Sequence, residues 1–133
     1  MRSFDYNGVK RTECGWGGHF CLAYKCLFRR NTHLEYNGVK VVVSTVGNMY
    51  KGYEGLQPVG FENVGLDRLY ETMAFYADPE SEYDDADVSK EIYFAGKWSI
   101  SPTDYDSLGD KFANDMHENC VDEIVARLKS GEL

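Results

Sequence analysis

The stretch Ser107-Leu-Gly-Asp-Lys-Phe-Ala-Asn-Asp-Met-His-Glu-Asn-Cys-Val-Asp-Glu-Ile-Val-Ala-Arg-Leu-Lys129 decides the fold. Leu108, Phe112, Met116, Cys120, Ile124 and Leu128 recur at helical spacing, with Ala113, Val121 and Val125 beside them, so one face of a helix is apolar. Asp106 or Ser107 suits the cap and Asp110 the first turn. Arg127 and Lys129 suit the last turn and Gly131 the stop. His117 flanks the apolar stripe and reads as a structural position on the helix surface. Such a stripe needs a partner surface, and the rest of the chain offers strands. The pattern therefore predicts one α+β domain over residues 1–133: an antiparallel sheet of about five strands with one long C-terminal helix packed on it.

Working back from the helix, the pentapeptide Tyr-Asn-Gly-Val-Lys occurs at residues 6–10 and again at 36–40. Asn-Gly between strand-forming residues is a strong hairpin signal. The flanks of the two copies differ, so this is a reused turn and not a duplicated domain. Residues 15–18 read as a turn, residues 19–28 as a strand alternating about Phe20, Leu22, Tyr24, Cys26 and Phe28, and Arg29 to Thr32 as a bend. Segments 33–36 and 40–46 form the second hairpin, with the β-branched run Val41-Val42-Val43 as a buried central strand. Residues 47–66, with five glycines and a proline, read as a long irregular loop. Residues 68–77 are a strand, with a short helix as the competing reading. Residues 78–87, six carboxylates in ten positions, read as an exposed acidic loop, and 89–94 as a further strand.

The 133 residues are enough for one domain with its own core, and 43% apolar content with 19 aromatics is that of a folded chain. No run approaches the length of a membrane span, and the first residues lack a signal peptide's apolar core, so the expectation is a cytoplasmic protein with no membrane partner and reduced thiols. The net charge of −8 is divided: residues 1–51 carry +5 and residues 52–133 carry −13. That field repels phosphate, so general nucleic-acid binding is not expected.

The candidate chemistry falls in two places. Cys14, His19, Cys21, Cys26 and His33 have the residue types of a zinc site, but the spacing Cys-x4-His-x-Cys-x4-Cys-x6-His lacks the tight pairs such sites use, so neither metal nor cofactor is expected. Trp16, Gly17, Gly18 and His19, with Arg29, Arg30 and Asn31 leading to Thr32, form the candidate anion or small-nucleotide site: two guanidinium forks, a glycine turn and an aromatic to stack on. A solvated turn pairing with the acidic half is the plainer alternative. The second place is the acidic segment, where Glu80, Glu82, Asp84, Asp85 and Asp87 can mimic phosphates and engage a basic partner; a solubilising loop is the alternative.

Gly15-Trp-Gly-Gly-His-Phe-Cys21, Phe28-Arg-Arg-Asn-Thr32, Val42-Val-Ser-Thr-Val-Gly47, Tyr70-Glu-Thr-Met-Ala-Phe75, Asp85-Ala-Asp-Val-Ser-Lys90 and Met116-His-Glu118 together resemble a group of small proteins of phages, prophages and mobile elements. The resemblance covers most of the chain from about residue 13 and brings no catalytic residues with it. It implies a setting, that of accessory proteins acting against host defence as anti-CRISPR proteins do. The expectation is a non-enzymatic protein that binds and inhibits a host protein, such as a basic nucleic-acid-binding effector, by its acidic surface and tyrosines. The alternative from another class is a binder or hydrolase of a small nucleotide or anion, with its site around Gly17 to His19 and Arg29 to Thr32.

Overall fold

The computed structural model describes residues 2–14, 18–19, 23–64, 68–101 and 109–133, with the backbone alone for Pro58, Val59 and Phe61. Both Asn-Gly turns are hairpins. Asn7-Gly8 joins β1 (Arg2–Tyr6) to β2 (Val9–Cys14), and Asn37-Gly38 joins β3 (Cys26–Tyr36) to β4 (Val39–Glu54). All four turn residues have positive φ, as a type I′ turn demands. β5 (Gln57–Glu62), β6 (Tyr70–Ala77), β7 (Ala86–Ile92) and β8 (Ser99–Ile100) complete one antiparallel sheet. Its order is β1-β2-β3-β4-β6-β7, with β5 paired to the far end of β4 and β8 to the start of β6.

The helix α1 (Gly109–Lys129) packs on one face of this sheet. Val121 and Ile124 are fully buried and meet Val41, Val43 and Leu34 in the main core, and Ala113 and Met116 pack with Phe28, Tyr70 and Ile100 in a second one. Each large aliphatic buried there contributes about 1.5–3 kcal/mol. The helix ends as expected: Gly131 has φ 81°, its N–H donates to Leu128 O, and Glu132 N–H donates to Arg127 O. The expected caps Asp106 and Ser107, with Leu108, lie outside the described residues. Phe112 sits at the margin of the stripe and is 39% exposed.

Three strand readings need correction. Arg29 to Thr32 form no bend; they lie inside β3, which is paired along its length with β4 and over residues 31–35 with β2. The continuous run from Val41 to Val46 offers a full ladder, and it outweighs the turn character of Asn and Thr. Of the strand expected over 19–28, Phe20 to Leu22 lie outside the described residues, Ala23–Lys25 form a 3₁₀ turn, and Cys26 to Phe28 open β3. Residues 47–66 are mostly strand: β4 runs on to Glu54, turns at Gly55-Leu56 and returns as β5. Gly47 stays in the ladder because the Tyr70 ring lies over it, 2.2 Å from where a Cβ would stand.

His117 is no surface residue. It is fully buried, facing a row of threonines that separates the apolar cores. Thr32 donates its hydroxyl hydrogen to Glu13 at 2.9 Å, so His117 Nε2–H must donate to Thr32 at 2.7 Å. Nδ1 is then an acceptor for Thr45 at 2.7 Å, and Thr45 in turn accepts from Thr72 at 2.6 Å. The bonds run one way, Thr72 to Thr45 to His117 to Thr32 to Glu13, and satisfy each member. Burial, then the charges of Arg30 and Arg11, hold the imidazole well below its ordinary pKa, and it is neutral.

The opposite face of the sheet is covered by two connections. Gly18 and Ala23, between β2 and β3, pack on Val46 so closely that a Cβ at Gly18 would lie 2.5 Å from that of Ala23. The β6–β7 connection reaches back over β3 and β4, where Asp84 pairs with Lys40 at 3.2 Å.

Candidate functional site: a cleft at the sheet edge

Beside β6 the chain leaves the sheet and returns. Ile92 pairs with Ala74 and Ser99 pairs with Glu71, so residues 93–98 loop out opposite only Thr72 and Met73. The gap is a cleft of about 340 Å³ lined by Arg68, Glu71, Thr72, Met73, Glu91, Tyr93, Phe94 and Trp98. Its volume is in the range of small-ligand sites.

The looped segment is pinned from both sides. Glu123 on α1 accepts from Ala95 N–H at 2.9 Å and Gly96 N–H at 3.2 Å, and Arg127 donates to Tyr93 O at 2.8 Å. From the sheet, Thr72 N–H donates to Trp98 O at 2.8 Å. The helix thus builds the outer wall of the cleft as well as the core. Tyr93 and Trp98 remain 77% and 43% exposed.

A polar relay builds the floor. His19, from the connection covering the sheet, accepts from Ser44 Oγ at Nδ1 (2.9 Å) and donates from Nε2 to Glu71 at 2.6 Å. The second oxygen of Glu71 accepts from Arg68 Nε at 2.8 Å, and the Arg68 guanidinium lies over the Trp98 ring, 4.9 Å from its centre. Burial alone would raise the Glu71 carboxyl. The hydrogen bond from His19 Nε2–H, with the Arg68 guanidinium, outweighs it and holds the group below its usual value. Glu71 is therefore an anion, Arg68 is fixed by it, and the cleft is preorganised. Glu91 has no hydrogen-bond or ion-pair partner among the described residues.

Ser44 faces a second, smaller cavity of about 150 Å³, which it lines with Asn31, His33 and Asp85. Ser44, His19 and Glu71 have the residue types of a nucleophile, a base and an orienting acid. Ser44 is 1% exposed. Burial lowers the His33 pKa, against the opposing pull of Asp84 and Asp85.

Among the described residues, those expected to form the anion site are not brought together. Arg29 and Arg30 are neighbours in a strand and point to opposite faces. Arg29 is exposed, whereas Arg30 turns to the helix side, where Glu13 and Glu118 lie 3.3 Å away and it bonds to Asn114. Trp16 and Gly17 lie outside the described residues. Gly18 and His19 serve the covering connection, and Asn31 lines the smaller cavity. Among the described residues no cluster of three or more His, Cys, Asp or Glu is placed to hold a metal ion.

The acidic segment is divided by the structure. Asp84 is spent on Lys40, Asp85 accepts from Ser81 at 2.9 Å, and Asp87 caps Ser89. Glu80 and Glu82 are exposed, with no side-chain partner among the described residues. Between the pairs Ala77–Ala86 and Phe75–Glu91, four residues of β7 stand opposite Tyr76 alone, and this bulge leaves Val88 64% exposed. Arg68, Glu91, Tyr93 and Trp98 were not singled out from sequence. Their signal was three aromatics in six residues around Ala95-Gly96, directly after an acidic strand.

Comparison with family models, with curated proteins and with solved structures gave no match. Among the described residues no helix is long and apolar enough to cross a membrane.

Proposed function

We propose that this protein is a non-enzymatic accessory protein of a phage or mobile element that binds a basic host protein, of the nucleic-acid-binding effector kind, and blocks it. The observation that carries the reading is the exposed surface of β7 and of the segments on either side of it. Val88 and Tyr93 lie with Glu91 on β7 and just after it, and Tyr83 lies with Glu80 and Glu82 on the connection that reaches over β3 and β4; the three large side chains are each at least 64% exposed, and the three carboxylates have no partners among the described residues. Large exposed side chains set among unpaired carboxylates suit a protein partner. A net charge of −8 steers the molecule toward a basic surface and away from nucleic acid itself. Asp84, Asp85 and Asp87 are bonded within the fold, so the reading rests on Glu80 and Glu82 of the five acidic candidates, with Glu91 added to them. The reading is tested by binding to purified CRISPR-type effectors with and without their guide RNA. It expects binding to the RNA-free effector, competed by nucleic acid and weakened by salt; failure to bind any of them, or binding indifferent to both, contradicts it.

The relay favours a second reading, a hydrolase acting at Ser44. Proton transfer from Ser44 Oγ to His19 Nδ1, with Glu71 holding the imidazolium, is compatible with the distances. Labelling of Ser44 by a fluorophosphonate, lost in His19→Ala, is the expected result of that reading, and absence of labelling removes it.

A further inference from the structure

We propose that the cleft beside β6 is a receptor for a single arginine side chain of the partner. This rests on the partner-binding reading above and names the group that is gripped. The lining carries one cation, Arg68, and two carboxylates, Glu71 and Glu91. Arg68 is neutralised by Glu71 at 2.8 Å, which leaves Glu91 as the uncompensated charge of the cleft. Around it stand the rings of Tyr93, Phe94 and Trp98, whose negative faces attract cations. The molecule already demonstrates the preference: the guanidinium laid over Trp98 is its own Arg68, at 4.9 Å from the ring centre. Arginine, with its flat and weakly hydrated head, suits a slot between rings with one carboxylate at its side better than the compact ammonium of lysine.

The wall is held before any ligand arrives, since Glu123, Arg127 and the amide of Thr72 all bond the backbone of the looped segment. Little ordering is therefore left to be done on binding. A cleft lined by three rings and one unpaired carboxylate, at a sheet edge that leaves Tyr93 and Val88 exposed, is the arrangement of an interface anchor pocket.

The test uses the full chain with Trp16→Phe, so that Trp98 is the sole tryptophan, and the capped tripeptide Gly-Arg-Gly as probe. Binding is followed by Trp98 fluorescence and by ring-current shifts of the arginine side-chain protons. The expected result is saturable, weak binding with upfield shifts at the arginine δ-methylene. It should fall about fivefold in Glu91→Gln, which keeps shape and removes charge. The analogue with citrulline in place of arginine should not bind, and a glutamate tripeptide should not bind. Binding of the glutamate or citrulline peptide, or no saturable response to the arginine peptide, overturns the proposal. The two readings fail separately. An arginine peptide that binds while no macromolecule does removes the host-protein reading and keeps the cleft. A host effector that binds Glu91→Gln and Trp98→Leu as tightly as the unaltered protein keeps that reading and removes the cleft as its anchor.

Discussion

His19 Nε2 and Glu71 Oε1 are 52 residues apart in the chain and 2.6 Å apart in the fold, and this bond ties the segment covering the sheet to the floor of the cleft. Without it Glu71 would be a buried carboxylate held by Arg68 alone, and Ser44 would lose its partner. His19→Ala is expected to cost about 1–3 kcal/mol, the penalty for polar groups left unsatisfied in the interior. Urea denaturation measures it. A loss near zero would mean that His19 is not seated on the sheet.

The same carboxylate sets the acid limit. Its folded pKa lies below the ordinary 4.5, so its contribution to stability is complete above about pH 4.5 and is lost as pH falls through the folded value. Between pH 5 and pH 3, roughly the carboxylate range, Glu71→Gln should lose less stability than the unaltered protein.

His117 and His33 act earlier on the way down. Both are held neutral below their ordinary 6.5, chiefly by burial, so the unfolded chain takes up protons first and stability falls as pH drops through 6.5. Each contributes a slope of at most about 1.4 kcal/mol per pH unit. His117→Gln is expected to be less stable at every pH, since the chain from Thr72 to Glu13 is interrupted, and to have a shallower slope between pH 6.5 and 5. Thermal melts across that range check both parts. An unchanged slope would place a charged His117 in the folded state.

Cys14, Cys26 and Cys120 are buried thiols with raised pKa values, Cys26 at about 11, and burial is the largest cause in each. Native protein treated with a thiol reagent should leave all three unmodified on the timescale on which unfolded protein reacts fully. Mass spectrometry of the digested protein locates any label.

Gly47 is the tightest point of the sheet. Gly47→Ala would put a methyl 2.2 Å from the Tyr70 ring, which is itself fully buried between Phe28 and the helix. The expected loss is about 1–3 kcal/mol, as for an overpacked core. The smaller substitution Tyr70→Leu should relieve part of it in the double variant, which a double-mutant cycle reads directly.

The parts of this fold legible in the sequence are those set by local rules. The helix announces itself by nine apolar positions at its period, and each hairpin by Asn-Gly, because only such residues take positive φ cheaply. What was not legible was decided across the sheet. Arg29 to Thr32 carry the side chains of a bend but are held straight by β4, and Asn31 and Thr32 by β2 as well. Residues 47–54 carry two glycines yet continue β4: at Gly47 the Tyr70 ring fills the space a side chain would take, and Gly52 is held in the ladder with β5. His117 reads as a margin residue of the helix until Thr32 and Thr45 are seen beneath it. The site was the least legible. Its residues come from Arg68 and β6, from β7 and from the segment after it, and only the register Ala74–Ile92 and Glu71–Ser99 shows that a gap opens there. Of the acidic segment, the sequence indicated the charge but not that Asp84, Asp85 and Asp87 are already bonded within the fold.

The most direct test of the partner-binding account is the affinity of an RNA-free basic effector for the unaltered protein and for the variant Glu80→Lys, Glu82→Lys, Glu91→Lys, at low and high salt. These three side chains have no partners among the described residues, so the variant should fold normally. The account predicts a large loss of affinity at low salt and a flattened salt dependence in the variant, with its melting temperature unchanged. Equal affinity of the two proteins at low salt would contradict it.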